Sequence, residues 1–294
     1  MIQITEMGKK IISIGWDVGG WYGDKNACTV MEYHNGSIQQ QPPILFDFRG
    51  NDSVYGLDSI TIDKILAPVK DYLELQDNNV KIIIAIDAPL SFSKNFKLLV
   101  NRKIDVNNFS NVKKNNSIAF RTTEILINNK FKNCLSPVFD SIGNPTTLAQ
   151  LVMLKLKSMG FKYIPVDSIS YDSIDSSNRI VIEVYPGILR DNIYYSNTSI
   201  IDSNGHFSSQ RYEPCKKYYS NLGSGPKPKS SEMDEYDSML CSMLGISFAK
   251  SFYGDQNNEI PLPEIETRIE TQYVADAAQE GWIFYPRVSR ETQK

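Results

Sequence analysis

Ile82-Ile83-Ile84-Ala85-Ile86-Asp87-Ala88-Pro89 is the stretch on which the fold turns. A short, β-branched apolar run reads as a buried strand. Proline directly after it stops the hydrogen-bond ladder, which puts Asp87 at the strand's end. Two other runs share the design: Ile11-Ile12-Ser13-Ile14-Gly15-Trp16-Asp17 and Ile180-Val181-Ile182-Glu183. If the three strands lie side by side, their carboxylates meet at one edge of a sheet. Such a cluster repels itself unless cations hold it, so Asp17, Asp87 and Glu183 are candidate metal ligands.

Working outward, the glycine-rich Val18 to Asn26 leads to an alternating segment, Ala27 to Tyr33, that predicts a second strand. The His34-Asn35-Gly36-Ser37 turn and a third strand around Ile44 to Phe48 follow, and short connections imply antiparallel neighbours. Residues Ile60 to Leu75 have helical spacing, with a kink expected at Pro68. A second helix is expected from about Thr147 to Met159, ending at Gly160, and a third from about Glu232 to Lys250, with Ser231 able to cap it. Long insertions are expected at about 91–145 and 187–230, within a single domain spanning 1–294.

The third helix supplies a fourth acid. Asp237 precedes Leu240, Cys241 and Leu244 by three, four and seven residues, so it lies on the apolar face. A carboxylate there is costly unless paired or bound to a cation. Asp234, one turn earlier, is a possible ligand, although an acid in a helix's first turn is also favoured by the dipole. Oxygen ligands without histidine suit Mg²⁺ or Mn²⁺. Two such ions about 4 Å apart can activate a water and stabilise a leaving oxygen in phosphodiester cleavage, with Glu183 as additional ligand or general base.

Charge is unevenly spread. The chain of 294 residues carries −3 in all, yet the segment Lys94 to Lys132 holds nine basic residues against Asp105 and Glu124, and Arg211 to Lys229 holds five against Glu213. An acidic body with two basic segments is consistent with holding a polyanion over a cationic site; the plainer reading is two solvated loops. Arg121, Lys113, Lys114, Lys216 and Lys217 are the candidate substrate contacts. Arg121 could clamp a phosphate or pair with Glu124 at i,i+3. Trp282, Phe284 and Tyr285 read as core, with Glu280 a possible neighbour of the metal edge. His34 and His206 read as solvent-facing loop residues.

The four cysteines, Cys28, Cys134, Cys215 and Cys241, have no paired spacing and read as small buried hydrophobes. No apolar stretch is long enough to span a membrane, and Met1 to Lys10 lacks a basic region leading into an apolar one, so a cytoplasmic protein is expected.

Three strands, helix, strand, helix, strand, helix is the element order of the ribonuclease H-like fold. The segments Gly15-Trp16-Asp17, Ile84 to Leu90, Arg121-Thr122-Thr123-Glu124, Glu183-Val184-Tyr185-Pro186, Asp234 to Ser238 and Glu280 to Pro286 together resemble a family of domains of unknown function described as ribonuclease H-like nucleases, which typically ends in Glu-Gly-Trp-Ile-x-x-Pro. The resemblance spans nearly the whole chain. It implies a five-stranded mixed sheet in the order 3-2-1-4-5 flanked by helices, and Asp17, Asp87 and Glu183 on one edge. Where the family has Asp-Ala-Leu, this chain has Asp237-Ser238-Met239. The expected function is a Mg²⁺- or Mn²⁺-dependent nuclease acting on DNA or RNA. One alternative is an ATPase or phosphotransferase of the actin-like superfamily, whose Asp-x-Gly-Gly start Asp17-Val18-Gly19-Gly20 matches. The other is a non-catalytic nucleic-acid-binding module.

Overall fold

In a computed structural model, residues 10–20, 26–34, 37–41, 43–46, 65–75, 79–105, 116–130, 134–168, 170, 174, 176–188, 230–253 and 265–286 are described. Each acid-ending run is a strand. Strands β1 (Lys10–Asp17), β2 (Asn26–His34), β3 (Ser37–Gln40), β4 (Ile44–Phe46), β5 (Val80–Asp87), β6 (Lys162–Tyr163), β7 (Arg179–Val184), β8 (Ile265–Glu266) and β9 (Ile283–Pro286) form one mixed sheet of nine strands. With helices α1 (Lys70–Leu75), α2 (Lys94–Val100), α3 (Thr122–Lys130), α4 (Gly143–Ser158), α5 (Ser230–Tyr253) and α6 (Val274–Glu280), the protein is α/β.

The sheet order is β3-β2-β1-β5-β7-β9-β8, with β4 also on β2 and β6 also on β7. The five strands expected therefore become nine. The strand expected around Ile44 to Phe48 is β4, and an additional strand, β3, precedes it: Gln40 of β3 pairs with Met31, while Ile44 of β4 pairs with Cys28 of the same strand. Pro43, with no N–H for the ladder, stands between the two. At the other side the aromatic tail expected only as core forms β9, parallel to β7, with Glu183 opposite Ile283. Strands β1, β5 and β7 are consecutive and parallel.

Both faces of these strands are covered, which is why they read as unbroken apolar runs. On one face Ile11, Ile83, Ala85 and Ile182 pack with Leu240, Leu244 and Phe248 of α5. On the other, Ile12, Ile14, Trp16, Ile84 and Ile86 pack with Leu148, Val152 and Leu156 of α4. The α5 backbone approaches β1 very closely. A Cβ on Gly15 would lie 2.0 Å from Ser238 O, and one on Gly245 would lie 2.1 Å from Ser13 Oγ.

A 3₁₀ turn over Ala67–Val69 precedes α1, which is the kink expected at Pro68, and residues 60–64 lie outside the described residues. Helix α4 starts at Gly143, with Pro145 accommodated in its first turn. Ser231's side chain, and Cys215, His206, Lys113, Lys114, Lys216 and Lys217, lie outside the described residues, as does most of 187–230. Cys28, Cys134 and Cys241 are buried free thiols, and His34 is exposed. Among the described residues, no helix is long and apolar enough to cross a membrane.

Candidate functional site

Asp17 and Asp87 are register partners at the ends of two adjacent parallel strands. Residues facing each other across such a pair point to the same side, so the two carboxylates share a face. It is the α5 face, because Gly15, two residues before Asp17, is where Ser238 and Ser242 press on β1. Ser238 Oγ lies 2.7 Å from Thr29 Oγ1, and Ser242 Oγ donates to Ser13 O at 2.8 Å. These bonds fix the helix on β1 and β2 and set the stretch just before Ser238, which carries Asp234 and Asp237, at the aspartate end. Asp237 is 7% exposed, whereas Asp17 and Asp87 are half-buried.

Chemically, three aspartates without histidine suit a hard divalent cation. The register pairs Asp17 with Asp87, and Asp237 immediately precedes Ser238 on the helix packed over that face. Among the described residues, no three His, Cys, Asp or Glu side chains stand close enough to hold a metal ion.

Glu183 does not join them. Its register partner is Ile86, one residue short of Asp87, so strand alternation directs it to the other face. There it is 1% exposed, and its oxygens are taken. Oε1 accepts from Arg121 Nη2, while Oε2 accepts from Arg121 Nη1 at 2.8 Å, Leu90 N at 3.1 Å and Tyr163 Oη at 3.3 Å. The expectation of Glu183 as ligand or base gives way to an anchor: it ties the turn after Asp87 to Arg121.

Arg121 is likewise no phosphate clamp, because its side chain has no exposed surface. Nε and Nη2 donate to Glu124 Oε1 at 2.8 and 2.6 Å, and Nη1 also reaches Glu280 O at 3.2 Å. Of its two readings, the ion pair with Glu124 is the one realised, extended to Glu183. Burial opposes the charge on Arg121, but Glu124 and Glu183 more than restore it. Burial also drives the Glu124 carboxyl up to about 7, with Arg121 pulling it down and Glu183 pushing it further up. The Tyr163 hydroxyl is raised by burial and by Glu183.

Glu280 holds this assembly from a third side. Its Oε1 accepts from Lys94 N at 2.6 Å and its Oε2 from Thr122 N at 2.9 Å, so one carboxylate serves the first residues of α2 and α3. It is 6% exposed, and its two oxygens are held by these helix starts. Tyr163 carries no local sequence signal, and Glu280 only its place before Gly281-Trp282.

A cleft of about 350 Å³, counted to its open mouth, joins the two halves of the site, with Asp87, Glu124, Glu183, Cys134 and Tyr185 among its lining residues. The glycine turn after β1 is differently occupied. Gly19 N donates to Asn26 Oδ1 at 3.1 Å, and Trp16 Nε1 reaches the same oxygen at 3.2 Å. One of the amides a phosphate cradle would use is thereby engaged within the chain. Compared with family models, curated proteins and solved structures, the chain matches none of them.

Proposed function

We propose that the chain is a ribonuclease H-like, metal-dependent nuclease that hydrolyses phosphodiester bonds of DNA or RNA. The observation that carries this reading is the Asp17–Asp87 register pair with the Asp237 turn of α5 on the same face. In this reading Asp17, Asp87 and Asp237 hold Mg²⁺ or Mn²⁺, with Asp234 beside them. Bound there, the ions would supply an activated water and neutralise the leaving oxygen. The chain's own contribution is to fix the acids: Ser238 and Ser242 seat α5, and Glu183 seats the turn after Asp87. The basic segment from Lys94 to Lys132 supports a polyanionic substrate.

The test combines binding with turnover. Wild-type protein and Asp17→Asn are titrated with Mn²⁺ or Mg²⁺ while thermal stability is followed, then incubated with labelled single-stranded, duplex and hybrid nucleic acids. Metal should raise the wild-type melting temperature and support cleavage, and both effects should be lost in Asp17→Asn. Cleavage that survives the substitution would sink the site. ATP hydrolysis in place of nuclease activity would favour the phosphotransferase reading.

A further inference from the structure

Helix α2 ends in a way that its sequence should avoid. Asn101 is the C-cap, Arg102 N donates to Leu99 O at 2.9 Å, and Lys103 N donates to Leu98 O at 2.8 Å. This pair of bonds is the Schellman closure, in which the residue after the cap adopts the left-handed conformation and is usually glycine. Arg102 occupies that position with φ 56°, and among the described residues it is the one non-glycine with positive φ. A side chain there is strained, because its Cβ crowds the neighbouring carbonyl oxygen. The next position, which often makes an apolar contact back onto the helix, is Lys103, and it is exposed. Both places where the motif favours something else are thus given to solvent-facing cations. A cation near a helix C-terminus gains from the dipole, but Lys103 already supplies one.

Strain kept at an exposed position points to what the side chain does. Leaving aside the buried Arg121–Glu124 pair, the surrounding segment from Lys94 to Lys132 holds eight basic residues against Asp105. We propose that the Arg102–Lys103 tip of α2 is a phosphate-contact point for nucleic acid, with arginine retained in a glycine position for its guanidinium. The proposal rests on the polyanion reading given above and assigns it a particular place.

The test is Arg102→Gly, which removes the side chain and the strain together. The variant should be more stable than wild type, with a melting temperature about 2 °C higher. It should bind a fluorescent oligonucleotide about fivefold more weakly at low salt, with the slope of log affinity against log salt reduced by about one. Lys70→Ala, an exposed cation paired with Glu74 on α1, serves as the control and should bind like wild type. If wild-type protein binds no oligonucleotide, the polyanion reading fails and takes this proposal with it. If wild type binds in a salt-dependent way and Arg102→Gly binds equally well, the proposal alone fails. It also fails if Arg102→Gly is less stable than wild type, or if the tip binds anionic lipid vesicles in preference to oligonucleotide.

Discussion

Replacing Arg121 with leucine should be among the most damaging single changes available to this fold, and the cost can be worked from its contacts. The guanidinium is fully buried and is held by both Glu124 and Glu183, which are each 1% exposed. Removing one partner of a buried ion pair leaves an uncompensated charge and costs about 3–5 kcal/mol. Two carboxylates are stranded here, but neither is left bare. Glu183 keeps Leu90 N and Tyr163 Oη, and Glu124 keeps the backbone N–H of residue 121 at 2.6 Å. We therefore expect a loss of about 4 kcal/mol at pH 8, a large part of the ~5–15 kcal/mol that holds a domain together. The loss should shrink toward pH 5. Without Arg121 the buried Glu124 carboxyl, already raised by burial, loses the cation that pulls it down, so protonation at lower pH stabilises the folded variant. Urea denaturation followed by circular dichroism at both pH values measures this. Arg121→Lys should rescue little, since an ammonium cannot engage two carboxylates as a planar fork does. A loss below about 1 kcal/mol at pH 8, or one that does not change with pH, would refute the reasoning.

Other consequences are equally concrete. In the wild type, Glu124 is raised to about 7 from an ordinary 4.5, so the folded state holds the proton more tightly. Its contribution is complete below pH 4.5 and fades as pH rises to about 7, a decline of order 3 kcal/mol that Glu124→Gln should flatten in the same denaturation series. Gly15→Ala places a methyl group 2.0 Å from Ser238 O and 2.2 Å from Ser242 N, both backbone atoms, and should cost at least about 3 kcal/mol by thermal denaturation. Glu280→Ala removes the acceptor for Lys94 N and Thr122 N, about 1 kcal/mol for each cap. Amide hydrogen exchange should then quicken at both helix starts while the strand amides of β1 and β5 stay protected.

The parts of the fold set by long apolar runs were readable from the residues. Strands β1, β5 and β7 and helix α5 each bury a continuous apolar face, so periodicity alone located them, and with them Asp17, Asp87 and Asp237. Register was not readable in that way. Whether Glu183 stands beside Asp87 or beside Ile86 changes its face, yet nothing in Ile180 to Glu183 distinguishes the two. The Arg121 cluster was hidden for another reason: its members are far apart in sequence, at 121, 163, 183 and 280, and only tertiary packing brings them together. Strands β6 and β8, of two residues each, are too short to carry a pattern.

The seam between β1 and α5 has a consequence in time. Gly15 and Gly245 let two backbones meet, but the second is made more than two hundred residues after the first. At about 5–20 residues per second, a ribosome takes roughly 10–50 s to make the intervening chain. Through that interval the sheet face bearing Ile11, Met31, Tyr33, Ile83 and Ala85 lacks the helix that covers it. The last of the three aspartates therefore arrives with the element that closes the core, so the aspartate set and the covered sheet are completed in the same event.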